Sequence, residues 1–265
     1  MKIGFIGCGN MASAIIKGII ESGAVAGNDV FVYDTDNKKT ATLQNEYSIN
    51  ICGDEKEVAT EAEYIVLAVK PNVLSSVLKK IDPVINTENK TLVSIAAGKT
   101  ISFIAEYLTH ENKIIRVMPN INAKVQSACC AYCFSESVEE ADKEVIEKIF
   151  NSVGSITALD ESYFPLFGVI GGCAPAFAYM FIDELARAAV KHGMAKDTAL
   201  KFAAQTVMGS AKMVLESGIH PYQLIDMVCS PGGTTVEGVL SLQADGFEKA
   251  VHNAVDKAVE KDKKL

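Results

Sequence analysis

This chain has no excess of positive charge: 25 Lys and Arg stand against 33 Asp and Glu, a formal net charge of -8. Nucleic-acid binding needs clustered basic side chains that displace counterions from phosphates. The only dense basic run, Lys257 to Lys264, is interleaved with acids and reads as a solvated helix end, so no nucleic-acid partner is expected. The chain also lacks an even cysteine set. Seven cysteines make a poor disulfide framework, and the N-terminus runs straight into strand-like sequence without a basic, apolar leader, so a reduced, cytoplasmic home is expected. Metal-ligand spacing is missing as well. Cys130 and Cys133 form a C-x-x-C pair, but they sit in strand-like sequence, where an odd spacing sends the thiols to opposite faces, and no matching Cys or His pair accompanies them. The four histidines, His110, His192, His220 and His252, are scattered, with His192 before a helix-ending glycine and the others on polar stretches. Repeats and low-complexity linkers are absent.

What is present is apolar and patterned. With 49% hydrophobic and 22% charged residues the chain can bury a large core and is not disordered. Up to about Asp160, short β-branched runs alternate with helical stretches: strands are expected at Lys2–Ile6, Val30–Tyr33, Ile49–Ile51, Tyr64–Val69, Thr91–Ile95, Lys113–Val117, Ser127–Phe134 and Gly154–Ala158. This pattern predicts an α/β fold, a Rossmann-type doubly wound sheet with mostly parallel strands, over residues 1–160. From 161 to 265 the strand signals stop and an all-helical unit is expected. Its helices start at Pro175, Asp197, Pro221, Thr235 and Phe247, and Gly193 and Gly218 end the first two. Ala, Gly and Ser are dense over 197–217, which lets helices approach closely, and so apolar a unit suits packing against a second copy. Tyr163 to Ile182 is uncharged and long enough to span a bilayer. Pro165, Pro175 and the flanking acids Asp160, Glu161, Asp183 and Glu184 argue instead for a buried or subunit-facing helix, with no membrane partner.

Two anion cradles of different size stand at opposite ends of the chain. The first, Ile6, Gly7, Cys8, Gly9, Asn10 and Met11, with Ala12 completing G-x-G-x-x-A, follows a strand and opens a helix, the order that a dinucleotide pyrophosphate needs. Asp34 ends the next strand, where a carboxylate accepts hydrogen bonds from an adenosine ribose and repels a 2′-phosphate, while Lys38 and Lys39 lie close enough to grip that phosphate. Both NADH and NADPH therefore stay open as cofactors. In such a sheet the ligand lies at the carboxyl ends of the strands. The loops Ala68-Val69-Lys70-Pro71, Ala96-Ala97-Gly98 and Met118-Pro119-Asn120 are thus expected at the nicotinamide half. The second cradle, Ser230, Pro231, Gly232, Gly233, Thr234 and Thr235, interrupts helical sequence with a loop suited to a small carboxylate. A plainer reading makes Thr234 a helix N-cap, with Glu237 completing a capping box.

Together, Gly7 to Ala12, Ala68 to Pro71, Arg116-Val117-Met118-Pro119-Asn120, Ala174-Pro175-Ala176, Gln205-Thr206 and Ser230 to Thr235 resemble the pyrroline-5-carboxylate reductase family, in order and over essentially the whole chain. The resemblance implies NAD(P)H-dependent reduction of 1-pyrroline-5-carboxylate to L-proline, and a Rossmann domain followed by an all-helical dimerisation domain. It implies homodimers, often assembled into rings. It also implies a substrate site at Ser230, Gly232, Gly233, Thr234 and Thr235, with the N–H groups of Gly233, Thr234 and Thr235 on the carboxylate and Thr235 as the catalytic hydroxyl toward the ring nitrogen. Two departures stand out: Ile121-Asn122 replaces the usual Thr-Pro, and Gly172-Cys173-Ala174-Pro175-Ala176 replaces Gly-Ser-Gly-Pro-Ala. A β-hydroxyacid dehydrogenase would need a lysine in the second unit's first long helix, and none lies between Tyr163 and Ile182. A non-catalytic nucleotide-binding sensor is the other alternative, against which the intact Ser230–Thr235 loop argues.

Overall fold

The computed structural model describes residues 1–85 and 90–262, so Lys263 and Lys264 of the basic tail lie outside the described residues. Strands β1 (Ile3–Ile6), β2 (Val30–Tyr33), β3 (Asn50–Ile51), β4 (Tyr64–Leu67), β5 (Thr91–Ser94), β6 (Lys113–Met118), β7 (Ala128–Phe134) and β8 (Gly154–Ala158) form one sheet in the order β3-β2-β1-β4-β5-β6-β7-β8. Pairing is parallel except between β6 and β7. The strand order reverses direction between β1 and β4, which makes their carboxyl ends the topological switch point of a doubly wound sheet.

Helices α1 (Asn10–Glu21), α2 (Asn37–Tyr47), α3 (Glu55–Glu61), α4 (Leu74–Ile85), α5 (Ile101–Ala105) and α6 (Glu140–Asn151) complete the sheet unit. The period-2 alternation of the strands feeds two cores. Val66 of β4 joins Phe5, Ile15, Ile19 and Ile149 on one face, while Ile65 and Leu67 join Val58, Leu74, Leu78 and Ile81 on the other. Each such fully buried aliphatic side chain contributes about 1.5–3 kcal/mol. The same alternation separates the two cysteines of the C-x-x-C pair: Cys130 lies in the first core, and Cys133 lies in a small cluster with Ala131 and Phe164. Burial pushes both thiols up to about 12, which keeps them protonated.

At the amino ends of β4, β5 and β6 a buried carboxylate joins the sheet to α6. Asp142 accepts hydrogen bonds from Tyr64 Oη at 3.1 Å, Thr91 Oγ1 at 3.0 Å and the Glu139 amide at 3.1 Å, and Lys113 Nζ lies 2.9 Å away. Burial alone raises the Asp142 carboxyl, but the bonds from Lys113, the Glu139 amide, Thr91 and Tyr64 outweigh it and hold the group below the usual carboxylate range.

The chain divides into two compact units, Met1–Gly172 and Cys173–Leu265. Strand signals end at Ala158, yet residues 161–172 pack on the sheet unit. Phe164 of α7 (Phe164–Phe167) is buried against Ala131 and Cys133. Arg116 Nη1 meets Glu161 Oε1 at 2.9 Å, with its guanidinium 4.4 Å from the Phe164 ring centre. A π-helical turn, Gly168–Cys173, then leads into the second unit.

That unit consists of α8 (Ala174–Lys191), α9 (Lys196–Ser217), α10 (Pro221–Val228), α11 (Thr234–Ala244) and α12 (Phe247–Asp262). Pro175 lies in the first turn of α8, and Gly218 ends α9 with left-handed backbone, as the breaker residues require. The α8/α9 seam is built from Ala186, Ala199 and Ala203, small side chains that let the helices approach closely. Large apolar side chains remain open on the unit, including Met180 (69% exposed), Leu215 (84%) and Met227 (69%). The apolar stretch Glu161–Lys191 is long enough to cross a bilayer by length and composition, and little of it is buried within the chain. The expectation of a helix buried inside its own chain therefore does not hold for α8, and a subunit-facing helix remains.

Candidate active site

The structure brings Ile6 to Met11, Asp34, Ala68 to Pro71, Ala96 to Gly98 and Met118 to Asn120 to one edge of the sheet, at the carboxyl ends of β1, β2, β4, β5 and β6. Gly7 is required by its surroundings: its φ is +100°, and a Cβ there would stand 2.6 Å from the Ala68 carbonyl oxygen. Two loop N–H groups are committed internally, Gly7 N to Tyr33 O and Cys8 N to Asp34 Oδ2, each at 2.7 Å. That leaves the N–H groups of Gly9, Asn10 and Met11 for an anion at the start of α1, whose N-cap is Gly9. A Cβ built on Gly9 meets no heavy atom within 4 Å, so this side of the loop is open backbone on which a pyrophosphate fits. A groove of ≈ 400 Å³ opens beside it, lined in part by Cys8, Gly9, Asn10, Lys17, Lys39 and Lys124.

Asp34 ties two loop amides together. Its Oδ2 holds the Cys8 amide and its Oδ1 accepts from the Asp36 amide at 2.8 Å, so the carboxylate braces the glycine loop. Each oxygen retains a further acceptor site for a sugar hydroxyl. Lys39 Nζ lies 3.7 Å from Asp34 and 3.9 Å from Asp36. Burial and the neighbouring Asp34 push the Cys8 thiol up to about 12, which removes it as a nucleophile. Lys70 is exposed at the end of its loop, whereas Ala96 and Asn120 are buried. Ile121, where the resembling family has Thr, is 44% exposed at the head of a 3₁₀ turn, Ile121–Val125, that Asn120 caps.

In the helical unit, Ser230-Pro231-Gly232-Gly233 closes a β-turn through Gly233 N to Ser230 O at 3.0 Å. Gly232 has φ +67°, the left-handed position that follows proline in a type II turn. Helix α11 is capped by Gly233, not Thr234, and no side chain caps its amides. This removes one alternative and corrects one expectation. The Thr234 capping-box reading fails because Thr234 is already the first helical residue. The Gly233 N–H is spent on the turn, which leaves those of Thr234 and Thr235 for a carboxylate. His220 is likewise accounted for, its Nδ1 accepting from Tyr222 N at 3.3 Å as the N-cap of α10.

Two contacts at this edge were not foreseen. Glu161 Oε1 joins Arg116 to the Ile101 amide at 2.9 Å, tying β6 to the start of α5 just after Gly98. The Asn120 amide donates to Gly171 O at 2.9 Å. Arg116 opens the Arg116–Asn120 motif, but no sequence signal links it to Glu161, forty-five positions on.

A doubly wound sheet with a glycine-capped first helix and an acid ending β2 defines a nicotinamide-nucleotide oxidoreductase. Comparison with known proteins narrows the class. Residues 161–265 match the family model for pyrroline-5-carboxylate reductase dimerisation, and residues 2–98 match that for NADP oxidoreductase, coenzyme F420-dependent. The chain is 45% identical over 265 residues to the pyrroline-5-carboxylate reductase of Escherichia coli (strain K12), covering 100% of this chain and 98% of that protein. It is 39% identical over 264 residues to that of Methanosarcina acetivorans, covering 100% and 97%. Among solved structures it resembles Plasmodium falciparum pyrroline carboxylate reductase with NADP bound (TM-score 0.86, 36% identity, 99% and 97% covered). It also resembles the Coxiella burnetii pyrroline-5-carboxylate reductase (TM-score 0.94, 29% identity, 99% and 97% covered). The chain belongs to the pyrroline-5-carboxylate reductase family, an NAD(P)H-dependent group of oxidoreductases whose helical unit is of the dimerisation type.

Proposed function

We propose that this protein reduces the C=N bond of 1-pyrroline-5-carboxylate to give L-proline, the last step of proline biosynthesis. The observation that carries the reading is the Ser230–Thr235 loop, a proline–glycine turn running into a helix whose N-cap is a glycine. A small carboxylate docks on the N–H groups of Thr234 and Thr235, where the helix dipole favours negative charge. Ser230 and Gly232 shape the turn, and the Thr235 hydroxyl hydrogen-bonds the ring nitrogen directly or through water, so that the imine is oriented and its nitrogen supplied with a proton.

The nucleotide edge has the complementary task. Gly9, Asn10 and Met11 hold the pyrophosphate, Asp34 the adenosine ribose, and Ala68–Pro71, Ala96–Gly98 and Met118–Asn120 flank the nicotinamide half, with Ile6, Gly7 and Cys8 shaping the loop. When bound, the nicotinamide supplies the hydride. Positioning by the chain does the rest, and no protein nucleophile is needed. The apolar side chains left open on α8, α9 and α10 support a homodimer as the basic unit, with dimers assembling further into a ring, and a second copy covers them without a membrane. Seven free cysteines support a cytoplasmic location.

Adding 1-pyrroline-5-carboxylate to purified protein with NADH or NADPH and following nicotinamide absorbance tests the proposal. Substrate-dependent oxidation is expected with at least one cofactor; silence with both overturns it.

A further inference from the structure

Within Met118-Pro119-Asn120 the buried residue is Asn120, and its side chain gathers three separate backbone segments. Its Nδ2 donates to Gly171 O at 2.9 Å; its Oδ1 accepts from Asn122 N at 3.2 Å and from Cys129 N at 3.4 Å. These partners belong to the 3₁₀ turn after β6, to β7, and to the π-helical turn Gly168–Cys173. A π turn closes its hydrogen bonds over one residue more than an α-helix, is rare, and is frequent at functional sites. The other end of the loop comes close to the same turn: a Cβ built on Gly168, which glycine lacks, would stand 3.7 Å from Met118 Sδ.

We infer that Asn120 is a positioning residue whose amide clamps the Met118–Asn120 loop to the π turn and so fixes the wall that flanks the nicotinamide half of the cofactor. The inference rests on the proposed reaction and on that loop's place in it. The geometry asks for a donor and an acceptor on one short planar group. A serine hydroxyl can keep the local N-cap on Asn122 but is too short to span to Gly171. An aspartate can accept from both amides but sets an oxygen against the Gly171 carbonyl, where a donor is needed.

The test compares the full-length wild type with Asn120→Asp and Asn120→Ser. Amide hydrogen exchange is read in peptides covering 121–129 and 168–173, NADH affinity by fluorescence titration, and kcat and KM with NADH and with NADH deuterated at C4. In both variants the 168–173 peptide is expected to exchange faster, with 121–129 less affected in the aspartate variant, and NADH affinity is expected to stay within about threefold. With the hydride donor and acceptor misaligned, kcat should fall about tenfold to a hundredfold and the isotope effect should rise. A kcat within about twofold of wild type with an unchanged isotope effect overturns the inference, whatever happens to melting temperature. Faster exchange confined to 121–129 overturns the clamp to the π turn. Should the aspartate variant fail to fold, the serine variant carries the same expectations. The titration and kinetics are run with whichever of NADH and NADPH the wild type oxidises; an active wild type with indifferent variants defeats this inference alone, whereas a wild type inactive with both cofactors defeats the proposed reaction and takes the inference with it.

Discussion

Gly9→Ala separates the fold of the glycine loop from its use. Gly9 has φ -72° and ψ -179°, backbone that alanine adopts freely, and its Cβ would meet nothing within 4 Å. Replacing glycine by alanine at such a site stabilises by about 0.4–1 kcal/mol through the unfolded chain. Alanine is a poorer N-cap than glycine by about 0.5–1 kcal/mol, so the net change in stability should stay within about 1 kcal/mol of zero. Binding is another matter. The new methyl would stand on the open face of the loop, where the proposed pyrophosphate site lies, and losing one hydrogen bond to a charged group costs about 1.5–3 kcal/mol, or about tenfold to a hundredfold in affinity. Urea denaturation and fluorescence titration with NADH and NADPH measure the two effects separately. Unchanged stability with unchanged affinity for both nucleotides would refute the assignment of this loop. Gly7→Ala is the contrasting control: with φ +100° and the Ala68 carbonyl oxygen 2.6 Å from its Cβ, it should lose stability and binding together.

Thr235→Ala should lower kcat/KM about tenfold to a thousandfold while leaving cofactor affinity nearly unchanged, and near-normal turnover would remove this hydroxyl from the mechanism. Asp34→Asn should raise the NADPH-to-NADH ratio of kcat/KM by about tenfold, because one charge is removed from the neighbourhood of a 2′-phosphate dianion; an unmoved ratio would show that Asp34 only braces the loop. Asp142→Ala should cost about 3 kcal/mol in urea denaturation, since among the described residues Lys113 keeps Glu139 alone as an ion-pair partner and the Tyr64 and Thr91 hydroxyls lose their bonds to the carboxylate. The folded carboxyl of Asp142 is depressed, so its stabilisation is complete above the unfolded value of about 3.9 and is lost as pH falls through the lower folded value. The variant's deficit relative to wild type should therefore shrink in acid, and a deficit independent of pH would contradict the ion-pair account. Light scattering should give at least twice the mass of one chain, and a monomer at micromolar concentration would contradict the subunit-facing reading of α8.

Much of this was legible because strands leave a two-residue imprint. Val30–Tyr33 and Gly154–Ala158 fall where their β-branched runs end, and the glycine loop was readable because strand, glycines and helix follow each other in order. Side-chain burial in polar stretches was not legible. Asp142 sits in the acidic helix Glu140–Asn151, which pattern alone makes a solvated face, and only the tertiary approach of Lys113, Thr91 and Tyr64 turns it inward. Asn120 looked like a ligand-facing residue because it ends a cofactor motif, yet its amide is taken by backbone partners, one of them fifty-one positions away. The start of α11 was misplaced by one residue for a similar reason. A threonine is a good N-cap by propensity, but the turn closed by Gly233 and Ser230 hands the cap to glycine.

The most direct test of the central claim is the fate of the hydride. Incubating the protein with 1-pyrroline-5-carboxylate and reduced nicotinamide cofactor carrying deuterium at both C4 positions, then analysing the amino-acid product by mass spectrometry, should give L-proline carrying deuterium at the former imine carbon. Unlabelled proline, or no proline from either cofactor, would contradict it.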